Sequence, residues 1–253
     1  MRVFITGASS GLGEALARHY AALGATLGLA ARRADELERL SRALAPASVA
    51  TYAVDVRDAQ ALASAGRDFI ARFGTPDIVI ANAGVSRGTL TEHAEDVAEF
   101  RAVFETNVLG LVHTFQPFVD AMRKAHRGVL AGIASVAGFR GLPGSGAYSA
   151  SKAAAIVYLE SLRVEMAGSG VAVVTICPGY IATPMTARNP YRMPFLMRPE
   201  RAAAQIARAI AKRKRFQVLP WPMSFASFVL RRLPRPLYDT LFARAPRKPR
   251  RAS

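Results

Sequence analysis

Apolar residues fall along the chain in two alternating patterns. Short, nearly continuous apolar runs occupy 3–6, 26–31, 48–54, 78–81, 129–134 and 171–176, with a weaker one at 217–219. Between them lie longer stretches whose apolar positions return every three or four residues: 11–23, 34–44, 59–73, a long one around 98–124, 147–167 and 199–213. The first pattern predicts strands buried on both faces, and the second predicts amphipathic helices. Their strict alternation predicts a doubly wound α/β fold of the Rossmann-like kind, about seven parallel strands with helices on both faces. Ligands of such folds bind beyond the carboxyl ends of the strands, so the residues that follow each strand are where chemistry is expected.

The first strand runs into Thr6-Gly7-Ala8-Ser9-Ser10-Gly11-Leu12-Gly13, which opens the first helix. Gly7, Gly11 and Gly13 let the chain turn sharply, and the bare backbone N–H groups of this loop, with Ser9, Ser10 and Leu12, can cradle a pyrophosphate at the positive end of the helix. A strand, a glycine-rich loop and a helix in that order are the context the mechanism requires, against the alternative of a ligand-free tight turn. The second strand ends in Arg32-Arg33 with no acid beside it. A carboxylate there would accept hydrogen bonds from the ribose 2′-hydroxyl of NAD, whereas a guanidinium matches a 2′-phosphate, so NADP(H) is the expected cofactor. Arg32 is the first choice for that contact and Arg33 the second. Asp35 reads as an acid in the first turn of a helix.

A second group of residues points to acid–base chemistry. Tyr148 and Lys152, in Tyr148-Ser149-Ala150-Ser151-Lys152, are one helical turn apart and share a face. A phenol with an ordinary pKa near 10 is a poor base, and an ammonium held beside it favours the phenolate. Lys152 is therefore expected to lower the Tyr148 value and to hydrogen-bond a nicotinamide ribose. Ser135, at the end of the fifth strand, offers a hydroxyl that could hold a substrate oxygen together with Tyr148. Cys177 reads as a small buried side chain. His19, His93, His113 and His126 show no metal-ligand spacing, and no metal site is expected.

Thr-Gly-x-x-x-Gly-x-Gly at residues 6–13, Asn82-Ala83-Gly84 after the fourth strand, and Asn107, Ser135, Tyr148 and Lys152 in that order resemble the short-chain dehydrogenase/reductase family over roughly residues 2–215. The resemblance implies a hydride transfer between nicotinamide and a carbonyl or secondary alcohol, with Tyr148 as proton donor or acceptor. It also implies that Asp55-Val56 contacts adenine, although Asp55 reads equally well as the cap of the next helix. Asn82, Ala83 and Gly84 would support the central sheet beside the cofactor. Asn107 would anchor a water leading protons to Lys152, the alternative being a satisfied core amide. Pro178-Gly179-Tyr180-Ile181-Ala182-Thr183 resembles the family's Pro-Gly-x-x-x-Thr, which would bring Pro178, Gly179, the backbone at Ile181 and the Thr183 side chain to the nicotinamide. Pairing through the helices that hold Asn107 and Tyr148, as a homodimer or homotetramer, is implied as well.

Charge alters this picture only at one end. The formal net charge is +16, and from Arg198 onward fifteen Lys and Arg face two acids, which puts all but three of the net positive charges in that part. No basic–aromatic reading motif accompanies them, and no nucleic acid is expected. The anticipated organisation is one catalytic domain over 1–219 with a substrate loop at 184–197, an amphipathic extension over 220–246, and a disordered basic tail over 247–253. Met185, Tyr191, Met193, Phe195 and Met197 would give the loop an apolar wall and favour an apolar carbonyl or alcohol substrate. The extension mixes aromatic residues with arginines and suits either a peripheral membrane contact or packing over the pocket or against another subunit. A first strand starting at Arg2 leaves no room for a signal peptide, and a lone cysteine forms no intrachain disulfide, so a cytoplasmic setting, with possible membrane association, is expected. The competing functions are a non-catalytic NADP(H)-binding regulator and a membrane-surface binding protein on the same fold.

Overall fold

The computed structural model describes residues 1–187 and 189–250, so Arg188 of the expected substrate loop and residues 251–253 of the tail lie outside the described residues. Seven strands, β1 (Arg2–Thr6), β2 (Thr26–Ala31), β3 (Val49–Ala53), β4 (Ile78–Ala81), β5 (Gly128–Ile133), β6 (Val171–Pro178) and β7 (Phe216–Leu219), form one sheet in the order β3-β2-β1-β4-β5-β6-β7. Every neighbouring pair is parallel. Chain order reverses between β1 and β4, which opens a crevice at their carboxyl ends.

The helices are α1 (Gly11–Ala22), α2 (Ala34–Ala43), α3 (Ala59–Phe73), α4 (Asp96–Phe104), α5 (Gly110–Lys124), α6 (Gly146–Glu165), α7 (Pro199–Ala211), α8 (Trp221–Arg232) and α9 (Arg235–Phe242). Successive side chains of a strand point to opposite faces, so each strand feeds two cores. Val3, Ile5, Leu27 and Leu29 pack beneath α1, α2 and α7. Phe4, Ala30, Val79 and Leu130 pack beneath α3, α5 and α6. Phe4 anchors the second core, with ring centroids 5.5 Å from Phe69 and 4.8 Å from Phe118.

The single long helix expected around 98–124 is instead two helices joined by a π-helical turn, Glu105–Leu109. The extra residue per turn shifts the apolar phase, so a polar residue, Asn107, comes to face inward and is buried. The 220–246 extension is helical. Arg140 Nη1 donates to the carbonyls of Leu230 (3.0 Å) and Leu233 (2.9 Å) at the end of α8, and Tyr238 Oη of α9 donates to the Gly141 carbonyl at 2.6 Å. Among the described residues no helix is long and apolar enough to cross a membrane. Residues 247–250 depart from the expected disorder. Arg250 pairs with Asp96 and Glu95, and its backbone bridges to Gly88. These are long-range ion pairs that a short basic run does not announce.

Candidate active site

The loop after β1 is shaped by contacts that only glycine permits. Gly7 and Gly11 have φ of +68° and +59°, and a Cβ on Gly13 would lie 2.1 Å from the Gly7 carbonyl oxygen. The Asn82 Nδ2 donates to the carbonyls of Thr6 (3.0 Å) and Gly7 (3.3 Å), and the Asn82 N–H donates to Thr6 Oγ1 at 3.2 Å. Asn82 thus ties the end of β4 to the loop and leaves the loop's own N–H groups at the head of α1 free to face a ligand. A cleft of about 330 Å³ runs from this loop along the carboxyl edge of the sheet.

Every residue that sequence reasoning proposed for cofactor binding lines that cleft, from Gly7 through Thr183. Arg32 and Arg33 stand at one end, but it is Arg33, the second choice, whose Nη2 reaches the glycine loop, donating to Ser9 Oγ at 3.1 Å. Asp55 does not cap a helix. Its Oδ1 accepts from the Arg57 N–H and its Oδ2 pairs with the Arg57 guanidinium at 2.7 Å, while Asp58 caps α3 by accepting from the Ala61 N–H at 2.9 Å. The Arg57 hydrogen bond outweighs burial and holds the Asp55 carboxyl below its ordinary range.

At the other end of the cleft stand Ser135, Tyr148 and Lys152. Ser135 follows β5 in an extended conformation and caps the short 3-10 turn Val136–Gly138 by accepting from the Ala137 N–H at 3.1 Å. A Cβ on Gly138 would meet the Lys152 carbonyl carbon at 2.7 Å, so that turn lies directly on α6. Tyr148 sits in the first turn of α6. Lys152, one turn on and only 4% exposed, donates from Nζ to the Ile133 carbonyl at 2.8 Å and lies 5.9 Å from the Tyr148 ring centroid. The expected depression of the phenol by Lys152 is absent from this arrangement. Burial dominates, raising the Tyr148 value while hydrogen bonding from Ser135 pulls it down, and the same dryness lowers Lys152 to about 8. Spacing reveals that two groups share a helical face, but not how much water that face retains. Cys177 on β6 is buried and its thiol is pushed up to about 12 by burial, which keeps it protonated.

Asn107 stands behind the cleft rather than in its lining. Its Oδ1 accepts from the Val85 N–H at 2.8 Å, and its Nδ2 donates to the Val85 carbonyl and to Ser151 Oγ, both at 2.9 Å.

Residues 1–193 match the family described as short chain dehydrogenase. The chain belongs to the short-chain dehydrogenase family. As such it is an oxidoreductase of a family that binds nicotinamide cofactors and acts on small molecules. It is 38% identical over 237 residues to an "Uncharacterized oxidoreductase" of Myxococcus xanthus, with 93% of each chain covered. Among solved structures it is similar to an alcohol dehydrogenase of the archaeon Thermococcus sibiricus complexed with 5-hydroxy-NADP, with a TM-score of 0.77 and 28% identity over 86% of this chain and 95% of that one. A short-chain dehydrogenase of Mycobacterium paratuberculosis bound to NAD gives the same TM-score at 26% identity, over 86% and 94%. These two neighbours carry different cofactors.

In this short-chain dehydrogenase the base of the 184–197 loop is a pair of backbone bonds, Ala182 N–H to the Met197 carbonyl and Met197 N–H to the Tyr180 carbonyl, both 2.9 Å. Met197 is accordingly core and not part of a substrate wall. Met185 lines the cleft, while Phe195 is exposed. Thr186 was missed by sequence reasoning. Its Oγ1 donates to the Ile181 carbonyl at 2.5 Å and accepts from the Thr183 N–H at 3.0 Å, fixing the residues expected beside the nicotinamide. The Thr-x-x-Thr spacing of a hydroxyl-stapled turn was the available signal.

Proposed function

We propose that this short-chain dehydrogenase is an NADP(H)-dependent oxidoreductase of a carbonyl/secondary-alcohol pair on an apolar substrate. The observation that carries the reading is the convergence of Ser135, Tyr148 and Lys152 on one end of a cleft whose other end is a glycine-rich loop flanked by two arginines. The residues fit the cofactor class: a backbone that leaves no room for a Cβ at Gly13, a helix N-terminus, and guanidinium groups where a 2′-phosphate would lie. When bound, the nicotinamide supplies or accepts the hydride. Arg33, oriented by Ser9, and the exposed Arg32 beside it hold the phosphate end. Ser135 donates to the substrate oxygen, and Tyr148, protonated at neutral pH because burial raises its value, gives that oxygen its proton in the reducing direction. Lys152 positions the phenol, and Asn107 acts as a positioning residue through Val85 and Ser151.

Tyr148→Phe is expected to abolish turnover while NADPH still binds with nearly unchanged affinity in a calorimetric titration. Turnover retained within tenfold would remove Tyr148 from the reaction. Arg32→Ala combined with Arg33→Ala is expected to weaken NADPH by about 10- to 100-fold and NADH far less, the value of a charge-assisted phosphate contact. Equal loss for both cofactors would sink the NADP(H) preference.

Exposed apolar side chains on the outer helices, Val97 and Phe100 on α4 and Val157 and Val164 on α6, support assembly with further copies as a homodimer or homotetramer. A second surface favours a membrane. Trp221, Phe225, Phe228 and Val229 are exposed at spacings that share one face of α8, next to Arg231, Arg232 and Arg235. This pattern fits an anionic bilayer surface, with aromatics entering the headgroup boundary and guanidinium groups at the phosphates. Flotation with phosphatidylserine vesicles, and not with phosphatidylcholine alone, is the expected result.

A further inference from the structure

Residues 247–250 lie against the active-site face. They run between the loop after β4 (84–90) and the loop before α6 (141–145), two segments themselves joined by a backbone bridge from Thr89 to Ser145. The strap is anchored at its far end. The Arg250 guanidinium grips Asp96 with contacts of 2.9 and 3.0 Å and reaches Glu95 at 2.7 Å, and the Asp96 side chain is 8% exposed. Its path is fitted to glycines: a Cβ on Gly88 would lie 2.5 Å from the carbonyl oxygens of Lys248 and Pro249, and one on Gly144 would lie 2.8 Å from Arg247 Cβ.

This path brings Lys248 to the Tyr148 phenol from outside α6. Lys248 Nζ lies 6.0 Å from the Tyr148 ring centroid, nearly the distance of Lys152, and donates to Ser86 Oγ at 2.7 Å. Its hydrogen bond therefore goes to a neutral hydroxyl. Burial lowers its value, the mark of a cation held out of water without full compensation. A half-buried ammonium of this kind, with only a neutral hydroxyl as its partner, is stabilised by an anion that brings its own charge.

We infer that Lys248 is a specificity-determining residue of the substrate site, and that the substrate carries an anionic group, a carboxylate, within a few bonds of the carbonyl that Ser135 and Tyr148 hold. The strap is then a wall of the site, with Arg250 as the residue that positions it. The remainder of such a substrate is apolar and rests against Met185, which lines the cleft. This inference rests on the carbonyl-reductase reading and names its substrate class.

The test compares 4-oxooctanoate and 5-oxooctanoate with their methyl esters, using NADPH and the full chain. The wild type is expected to prefer the acids in kcat/KM. In Lys248→Gln the acid-to-ester ratio is expected to fall by about tenfold or more, and Lys248→Arg, which keeps the charge, is expected to preserve most of it. Arg250→Ala is expected to lower the ratio in the same direction as Lys248→Gln. A ratio unchanged within twofold in Lys248→Gln overturns the inference. So does a rise in turnover of acid and ester alike in Arg250→Ala, which would make the strap a plug. If the wild type turns over neither compound, that failure belongs to the enzymatic reading. Calorimetric titration of the NADPH-loaded protein with 4-oxooctanoate then decides the matter of Lys248 alone: binding heat lost in Lys248→Gln supports it, and absence of heat in the wild type overturns it.

Discussion

Lys152 illustrates how the burial of a single side chain bears on stability. It is buried with one backbone carbonyl as its hydrogen-bond partner, and desolvation takes its pKa from an ordinary 10.5 to about 8. Below about pH 8 the ammonium is charged in the folded and unfolded states alike, and the fold bears the whole cost of burying it. Between about 8 and 10.5 the folded protein has released the proton while the unfolded chain still holds it, so unfolding takes a proton up and stability rises with pH. The unfolding free energy of the wild type relative to Lys152→Met is therefore expected to grow between pH 7 and 10.5, by up to about 3 kcal/mol. Urea titrations of both proteins across that range measure it, and a difference that shrinks as pH rises would contradict burial as the dominant influence on Lys152. The pair Tyr148 and Lys152 was legible from its i, i+4 spacing. The direction of the phenol's shift was not, because it depends on how β5, the 3-10 turn and α6 exclude water together.

At the scale of elements, the periodicities in the sequence placed what they are able to place. β2, β4 and α3 begin and end where the alternation of patterns predicted. What failed was the stretch around 98–124, where a π-helical turn breaks the 3.6-residue phase that such reading depends on. That turn gives Asn107 its position, from which one amide ties the helix to both polar groups of Val85 and to Ser151 on α6. Asn107→Leu is expected to leave the Val85 N–H and carbonyl without their partner, at a cost of about 1–3 kcal/mol. For a chain of this size that lowers Tm by about 2–4 °C per kcal/mol, which calorimetry resolves. Tm and turnover should fall together. An unchanged Tm with turnover lost would instead assign Asn107 to proton delivery, the role that family resemblance implies. The tail was misjudged for a different reason. Its fold-defining contacts are with Ser86, Glu95 and Asp96, more than 150 residues away in sequence, and no local pattern in Pro246-Arg247-Lys248-Pro249-Arg250 encodes them.

At the scale of the whole molecule, charge and apolar exposure are placed on the same part of the chain. Thirteen of the sixteen net positive charges fall from Arg198 onward, and that segment also holds the exposed aromatic face of α8 and the exposed Leu237 and Leu241 of α9. Either feature alone is ordinary. Together they resemble a surface that approaches an anionic bilayer by long-range attraction and then inserts its aromatics. The chain contains one tryptophan, Trp221, and it is 80% exposed, so its emission reports on this face alone. In buffer the emission is expected at the long-wavelength position of a hydrated indole, shifting to shorter wavelength when phosphatidylserine vesicles are added. Because the attraction is screened over about 10 Å at 0.1 M salt and about 3 Å at 1 M, the shift should weaken steeply across that range. Trp221 cannot report on its own removal, so Phe225→Ser is the companion variant, expected to reduce the shift by deleting apolar contact without touching charge. A blue shift that appears with rising protein concentration and no vesicles would assign the face to a second copy of the chain. One insensitive to both would leave α8 to cover the active-site face, where its last turn already meets Arg140.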